Sequence, residues 1–125
     1  MLLRSYLAAK LHGIRVTDKN LHYVGSLSLG REFLRASGMV EHEEVQIVNV
    51  TTGARFTTYI IVAEEPGTCA LNGGAARLAE VGDRLIVMTF ALSDQPLEPR
   101  IVFIDDRNQI EKTTRGEQPG DRHGG

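Results

Sequence analysis

The chain has 125 residues, 42% of them hydrophobic, and a formal net charge of -2. That length suits one domain with a real core, and the composition excludes a wholly disordered chain. The near balance of charge excludes a basic field for nucleic acid or anionic membrane, and Cys69, the single cysteine, excludes an intrachain disulfide framework or a thiolate metal cluster.

The opening MLLRSYLAAKLHG begins like a signal segment, but Lys10 and His12 interrupt it before an apolar core develops, so it reads as a first strand. KLHGIRVT and LHYVGSLSLG read as the first two strand candidates, the second with Gly25 and Ser26 in its middle, where a strand gains nothing from either. GREFLRASGM predicts a short helix stopped by Ser37-Gly38. EEVQIVNV is a strand, TTGA a turn around Gly53, and RFTTYIIVAEE the longest strand candidate, ended by Pro66-Gly67. TCALNGGAARLAEVGD starts as a strand and breaks at Asn72-Gly73-Gly74 into a turn and a helical turn. DRLIVMTFAL, nearly all apolar, predicts a strand buried on both faces. IVFIDD, the turn RNQ and a short last strand follow. The tail TTRGEQPGDRHGG is almost without apolar residues, and residues 115–125 are expected to be a disordered polar tail to a domain of residues 1–114. Many short strands divided by turn signals predict a mostly β fold, a barrel or sandwich, with one or two short helices. No apolar run is long enough to span a bilayer, and a lone cysteine suits a reducing cytoplasm.

Four groups of residues can carry chemistry. Gly25-Ser26 pairs a flexible residue with a hydroxyl nucleophile; its plain reading is a bulge or turn. RFTTY places Arg55, Thr57 and Tyr59 on one strand face and Phe56 and Thr58 on the other, and its plain reading is a strand with one buried aromatic. NGGA, Asn72 to Ala75, has small residues able to turn several backbone N–H groups toward an anion, or to form an ordinary turn. Lys10 and His12, two apart, share one side of a strand. His12 and His22 find no third partner at a ligand spacing, so no metal is expected.

Taken in order and spacing, AKLHGIRVT, LHYVGS, NVTTGARFTTY, LNGGAA and VGDRLIVMTF resemble the pyruvoyl-dependent aspartate 1-decarboxylases, and PRIVFIDDRNQI is similar to that family's last strands. The resemblance runs from about residue 1 to residue 113. It implies a double-psi β-barrel, self-cleavage between Gly25 and Ser26 into pieces 1–25 and 26–125, and decarboxylation of L-aspartate to β-alanine for pantothenate and coenzyme A synthesis. The cofactor it implies is a pyruvoyl group formed from Ser26, which takes the substrate amine as a Schiff base without metal or pyridoxal phosphate. It also implies a cytoplasmic homotetramer with active sites between subunits, bound to neither nucleic acid nor membrane, and in some relatives a helper protein for maturation.

The chemistry behind that resemblance is coherent. Ser26 Oγ can attack the Gly25 carbonyl, and glycine before the nucleophile allows unusual backbone angles and open access. Thr58 matches the family's threonine for the oxyanion. Tyr59 matches its proton donor, and a phenol with an ordinary pKa near 10 holds its proton at neutral pH. The two carboxylates of aspartate call for cations, which Arg55 and Lys10 supply, while Gly73, Gly74 and Ala75 match the substrate-binding turn. Three positions depart from the family pattern: Gly74 stands where alanine is commoner and loosens the turn, Arg77 replaces a histidine, and Gly30 replaces an aspartate. The alternative reading is a non-maturing small-ligand-binding β-barrel module, which loss of Ser26, Tyr59 or Arg55 would have signalled. A structural or interaction barrel would show a basic face or an exposed apolar patch.

Overall fold

The structure, a computed structural model, describes residues 1–22 and 24–116. Alternating inward and outward side chains build a mostly β molecule. Strand β1, Arg4–Arg15, buries Ala9, Leu11 and Ile14, and its register slips twice, between Leu7 and Ala9 and between His12 and Ile14. The second slip holds Gly13 at φ +94°, a left-handed geometry that favours glycine. After β2, Asp18–Asn20, come β3, Ser26–Gly30, and helix α1, Arg31–Ser37. The helix turns Phe33 and Leu34 inward and ends at Gly38, whose φ of +81° and N–H bond to the Leu34 carbonyl close it as the sequence predicts.

Strands β4, Glu44–Asn49, and β5, Arg55–Ala63, flank the Gly53 turn. Then follow β6, Cys69–Asn72, a 3-10 helix over Gly73–Leu78, β7, Arg84–Ser93, β8, Arg100–Ile104, and β9, Ile110–Arg115. The strands join in the order β2-β6-β3-β5-β4-β7-β1-β8-β9. The neighbours β1 and β8, β2 and β6, and β3 and β5 run parallel; the others are antiparallel. One face of this sheet carries a continuous core that includes Leu11, Leu27, Leu29, Ile47, Ile60 and Leu85.

Three expectations need correction or a boundary shift. The second strand does not run from Leu21 to Leu29. The Asn20 side-chain oxygen accepts the His22 N–H at 3.2 Å and turns the chain directly after β2, leaving Leu21 and Val24 exposed. Gly25 and Ser26 therefore stand at the entrance to β3 rather than in the middle of a strand, and Tyr23 lies outside the described residues. Strand β7 is not buried on both faces. Leu85, Val87 and Thr89 are buried, whereas Phe90 and Leu92 are 40% and 70% exposed, because its neighbours β1 and β4 are antiparallel and the core covers one side only. Strand β9 reaches Arg115, inside the stretch expected to be a polar tail, because it pairs with β8 and the Gly116 N–H donates to the Pro99 carbonyl. Residues 117–125 of that stretch lie outside the described residues.

Cys69 has no exposed surface, and burial pushes its thiol up to about 12. The folded chain should therefore leave a thiol reagent unconsumed at pH 8 and react fully in denaturant, as read by mass increase. Rapid labelling under native conditions would show that β6 is open.

Candidate active site

The site begins with the alternation of β3. Leu27 and Leu29 point into the core, so Ser26 and Ser28 share the opposite face. In the antiparallel register with β6, Ser26 stands opposite Asn72. Both are buried, and the Asn72 amide spans the two serines, with Nδ2 donating to Ser26 Oγ at 2.9 Å and to Ser28 Oγ at 3.0 Å. The Ser26 hydroxyl donates in turn to the Val24 carbonyl over a long 3.4 Å. The Ser26 hydroxyl is thus gripped as an acceptor and only weakly engaged as a donor.

Gly25 does not need its glycine for the backbone angle. Its φ is not in the left-handed region, and among the described residues an added Cβ would meet only the Asn72 carbonyl, at 3.8 Å. The expected conformational reason therefore does not apply in the uncut chain. What remains is access, since nothing on Cα shields the carbonyl that precedes Ser26.

Strand β5 lies beside β3 in parallel, with Leu27 level with Ile60. Carried back, that register sets Ser26 level with Tyr59 and Gly25 level with Thr58. The pairing also divides the faces as RFTTY predicts. Tyr59, like Ser26, is on the outer face, whereas Thr58 shares the core-side face with Ile60 and stands opposite buried Val45. The Thr58 hydroxyl is half-buried and makes no hydrogen bond among the described residues. Tyr59 packs at 6.3 Å from the His42 ring, which the His42 N–H bond to the Ile60 carbonyl holds in place.

Other expected members stand apart. Arg55 is exposed on the same outer face, four residues before Tyr59, roughly 13 Å along the strand. Lys10 pairs with Met88, Met88 with Gln46, and Gln46 with Thr57. These four residues form one row across the sheet, and three strand spacings put Lys10 roughly 14 Å from Thr57 on β5, with β3 a further strand away. A lysine side chain cannot cover that span along one chain's sheet. Gly73 follows Asn72 directly, buried at φ +65°, and starts the 3-10 helix; Gly74 is exposed with open space around it, and Ala75 is half-buried. The register thus gathers Gly25, Ser26, Thr58, Tyr59 and the turn at Gly73 to Ala75, whereas Lys10 is on β1, four strand positions along the sheet from β3. Of the departures, Arg77 is exposed in the last helical turn. At Gly30 an added Cβ would crowd the Glu32 carboxylate, which accepts the Gly67 N–H at 2.6 Å and would have to shift.

Asn72 and Ser28 are the residues that the sequence reading passes over. Asn72 was legible only as the head of a glycine turn, although its side chain belongs to the end of β6. Ser28 carried a signal in the S-x-S alternation that puts two hydroxyls on one face. Among the described residues no three His, Cys, Asp or Glu side chains are grouped to hold a metal ion.

The sequence profile of the aspartate decarboxylase family matches residues 2–111. A Campylobacter jejuni protein named aspartate 1-decarboxylase is 47% identical over 118 residues, covering 91% of this chain and 94% of its own length. Proteins of the same name from Caldicellulosiruptor saccharolyticus and Bacillus licheniformis are 43% and 42% identical, each covering 94% of this chain and 95% and 96% of their own lengths.

The two glycines of the turn should behave oppositely. Gly74→Ala should raise stability by about 0.4–1 kcal/mol by restricting the unfolded chain. Gly73→Ala, forced into a left-handed angle, should lower it by about 1–2 kcal/mol. Urea titrations measure both, and equal effects at the two positions would contradict the geometry of the turn.

Proposed function

The chain belongs to the aspartate decarboxylase family, and from that premise we infer that it converts L-aspartate to β-alanine and carbon dioxide for pantothenate and coenzyme A synthesis. A pyruvoyl group made from Ser26 would supply the electron sink for decarboxylation, offering a ketone for the substrate amine beside a carbonyl able to accept electrons. The observation that carries this reading is the Asn72 grip on a buried Ser26 hydroxyl at the entrance to β3, directly after an unshielded glycine.

The chain makes the group from its own atoms. Ser26 Oγ adds to the Gly25 carbonyl carbon, the peptide nitrogen leaves as an amine, and an ester joins the two residues. Loss of the Ser26 Cα proton then breaks the Cβ–Oγ bond and frees Gly25 as a carboxylate. Water replaces the remaining nitrogen, which departs as ammonia, and leaves a ketone at the head of residues 26–125. Thr58, level with Gly25 and with an uncommitted hydroxyl, donates to the oxyanion formed in the first step. Asn72 fixes Oγ from one side, while the long bond to the Val24 carbonyl leaves its proton easy to remove.

In turnover, Tyr59 shares the Ser26 face and donates the proton that replaces the lost carboxylate. Arg55 receives a substrate carboxylate through its bidentate fork, and the N–H groups at Gly73, Gly74 and Ala75 face an acid group. Lys10, on the segment before the cut, serves the Ser26 of a neighbouring chain in a homotetramer. The uncovered side of β7, with Phe90 and Leu92 exposed, supplies apolar surface for that assembly. The strands close as a double-psi barrel. The Thr17 N–H bond to the Cys69 carbonyl at 2.8 Å and its return from the Cys69 N–H to Thr17 Oγ1 at 2.9 Å support this closure, because they tie the chain just past β1 to distant β6. No helix among the described residues is long and apolar enough to cross a membrane. The cytoplasm, with its supply of aspartate, is the proposed site of action.

Two variants separate the paired reactions. Thr58→Val should slow self-cleavage on the order of a hundredfold by removing an oxyanion donor. Tyr59→Phe should cleave normally yet lose on the order of a hundredfold or more in β-alanine formation. Fragment masses and amine analysis read the two steps. An intact Tyr59→Phe chain beside a normally cleaved Thr58→Val chain would reverse the roles assigned here.

A further inference from the structure

We propose that Ser28 is a positioning residue for self-cleavage, holding the Asn72 amide so that one of its two hydrogens stays on Ser26 Oγ. The inference rests on the reading of Ser26 as the self-cleaving nucleophile and adds a residue to it.

A primary amide has two N–H hydrogens in one plane, directed apart by the trigonal nitrogen. Both are used here: one goes to Ser26 Oγ at 2.9 Å and the other to Ser28 Oγ at 3.0 Å. Ser26 lies directly opposite Asn72, whereas Ser28 lies two residues further along β3, opposite Ala70. The Asn72 side chain therefore leans along the strand, between two hydroxyls on one face. Small Ala70 leaves room for that lean. With both hydrogens engaged, the amide cannot rotate about its last torsion without losing one bond in a buried setting, where a lost bond is costly.

Without the Ser28 hydroxyl, the second hydrogen has no partner shown on that face, and the amide is free to swing away from Ser26. The nucleophile then keeps only the long bond to the Val24 carbonyl, which pulls Oγ back toward the preceding segment. Attack on Gly25 requires Oγ close to the carbonyl carbon and aligned with it. Small misplacements of a reacting atom cost on the order of ten- to a hundredfold in rate. Ser28 touches neither the bond that breaks nor the atom that attacks it. Its effect passes through Asn72.

The test follows cleavage of the freshly synthesised full-length chain by intact mass over time. Ser28→Thr keeps a hydroxyl, and Ser28→Val has almost the same shape and suits a strand equally well. Ser28→Thr should keep the original rate and Ser28→Val should cleave on the order of tenfold or more slowly, with unchanged circular dichroism. Because the effect runs through Asn72, adding Ser28→Val to Asn72→Ala should slow cleavage no further than Asn72→Ala alone. Equal rates for the Thr and Val variants, or losses that multiply in the double variant, would overturn the role of Ser28 and leave the self-cleavage reading standing. An unsubstituted chain that never cleaves would overturn both.

Discussion

The hydrogen bond from Asn72 to Ser26 Oγ exists only in one register of β3 against β6. A slip of one residue would turn Ser26 into the core and Leu27 out of it. What prevents the slip lies on the other face. Leu27, Leu29, Leu71 and Cys69 are all without exposed surface, and burying a leucine is worth about 1.5–3 kcal/mol. A hydrogen bond contributes about 1 kcal/mol net. The core therefore sets the register, and the polar site inherits its geometry from apolar packing it never touches. The Gly30 N–H bond to the Thr68 carbonyl at 3.0 Å closes the same pairing at its far end.

The parallel neighbour β5 completes the arrangement. A parallel strand places successive residues level with successive residues, so Gly25 and Ser26 meet Thr58 and Tyr59 in order. Because adjacent side chains point to opposite faces, the two partners are separated: the Thr58 hydroxyl is on the inner face and the Tyr59 phenol on the outer face with Ser26. The same sheet places Lys10 on β1, four strand positions from β3.

Much of this was legible in the sequence where local chemistry decided the outcome. Gly38 and Gly53 announced a helix end and a turn, and RFTTY alternated faces as read. LHYVGSLSLG alternates like a strand, but an Asn20 side-chain bond to the His22 backbone ends that pattern before Ser26. The apolar run of β7 looked buried on both faces because composition does not reveal which neighbours cover a strand. Asn72 was hidden because its role is a side-chain bond to a residue 46 positions away, set by strand pairing. The double-psi closure that the resemblance implies has no signature in any periodicity of the sequence.

The central claim is that the hydroxyl of Ser26 cuts the chain that carries it and is consumed in doing so. Intact mass spectrometry of the purified protein tests this most directly. The account predicts two pieces, residues 1–25 ending in a free carboxylate and residues 26–125 beginning with a ketone in place of an amine, the larger piece therefore resistant to N-terminal sequencing. A single intact chain that still forms β-alanine from aspartate, or a larger piece that begins with an unmodified serine amine, would contradict it.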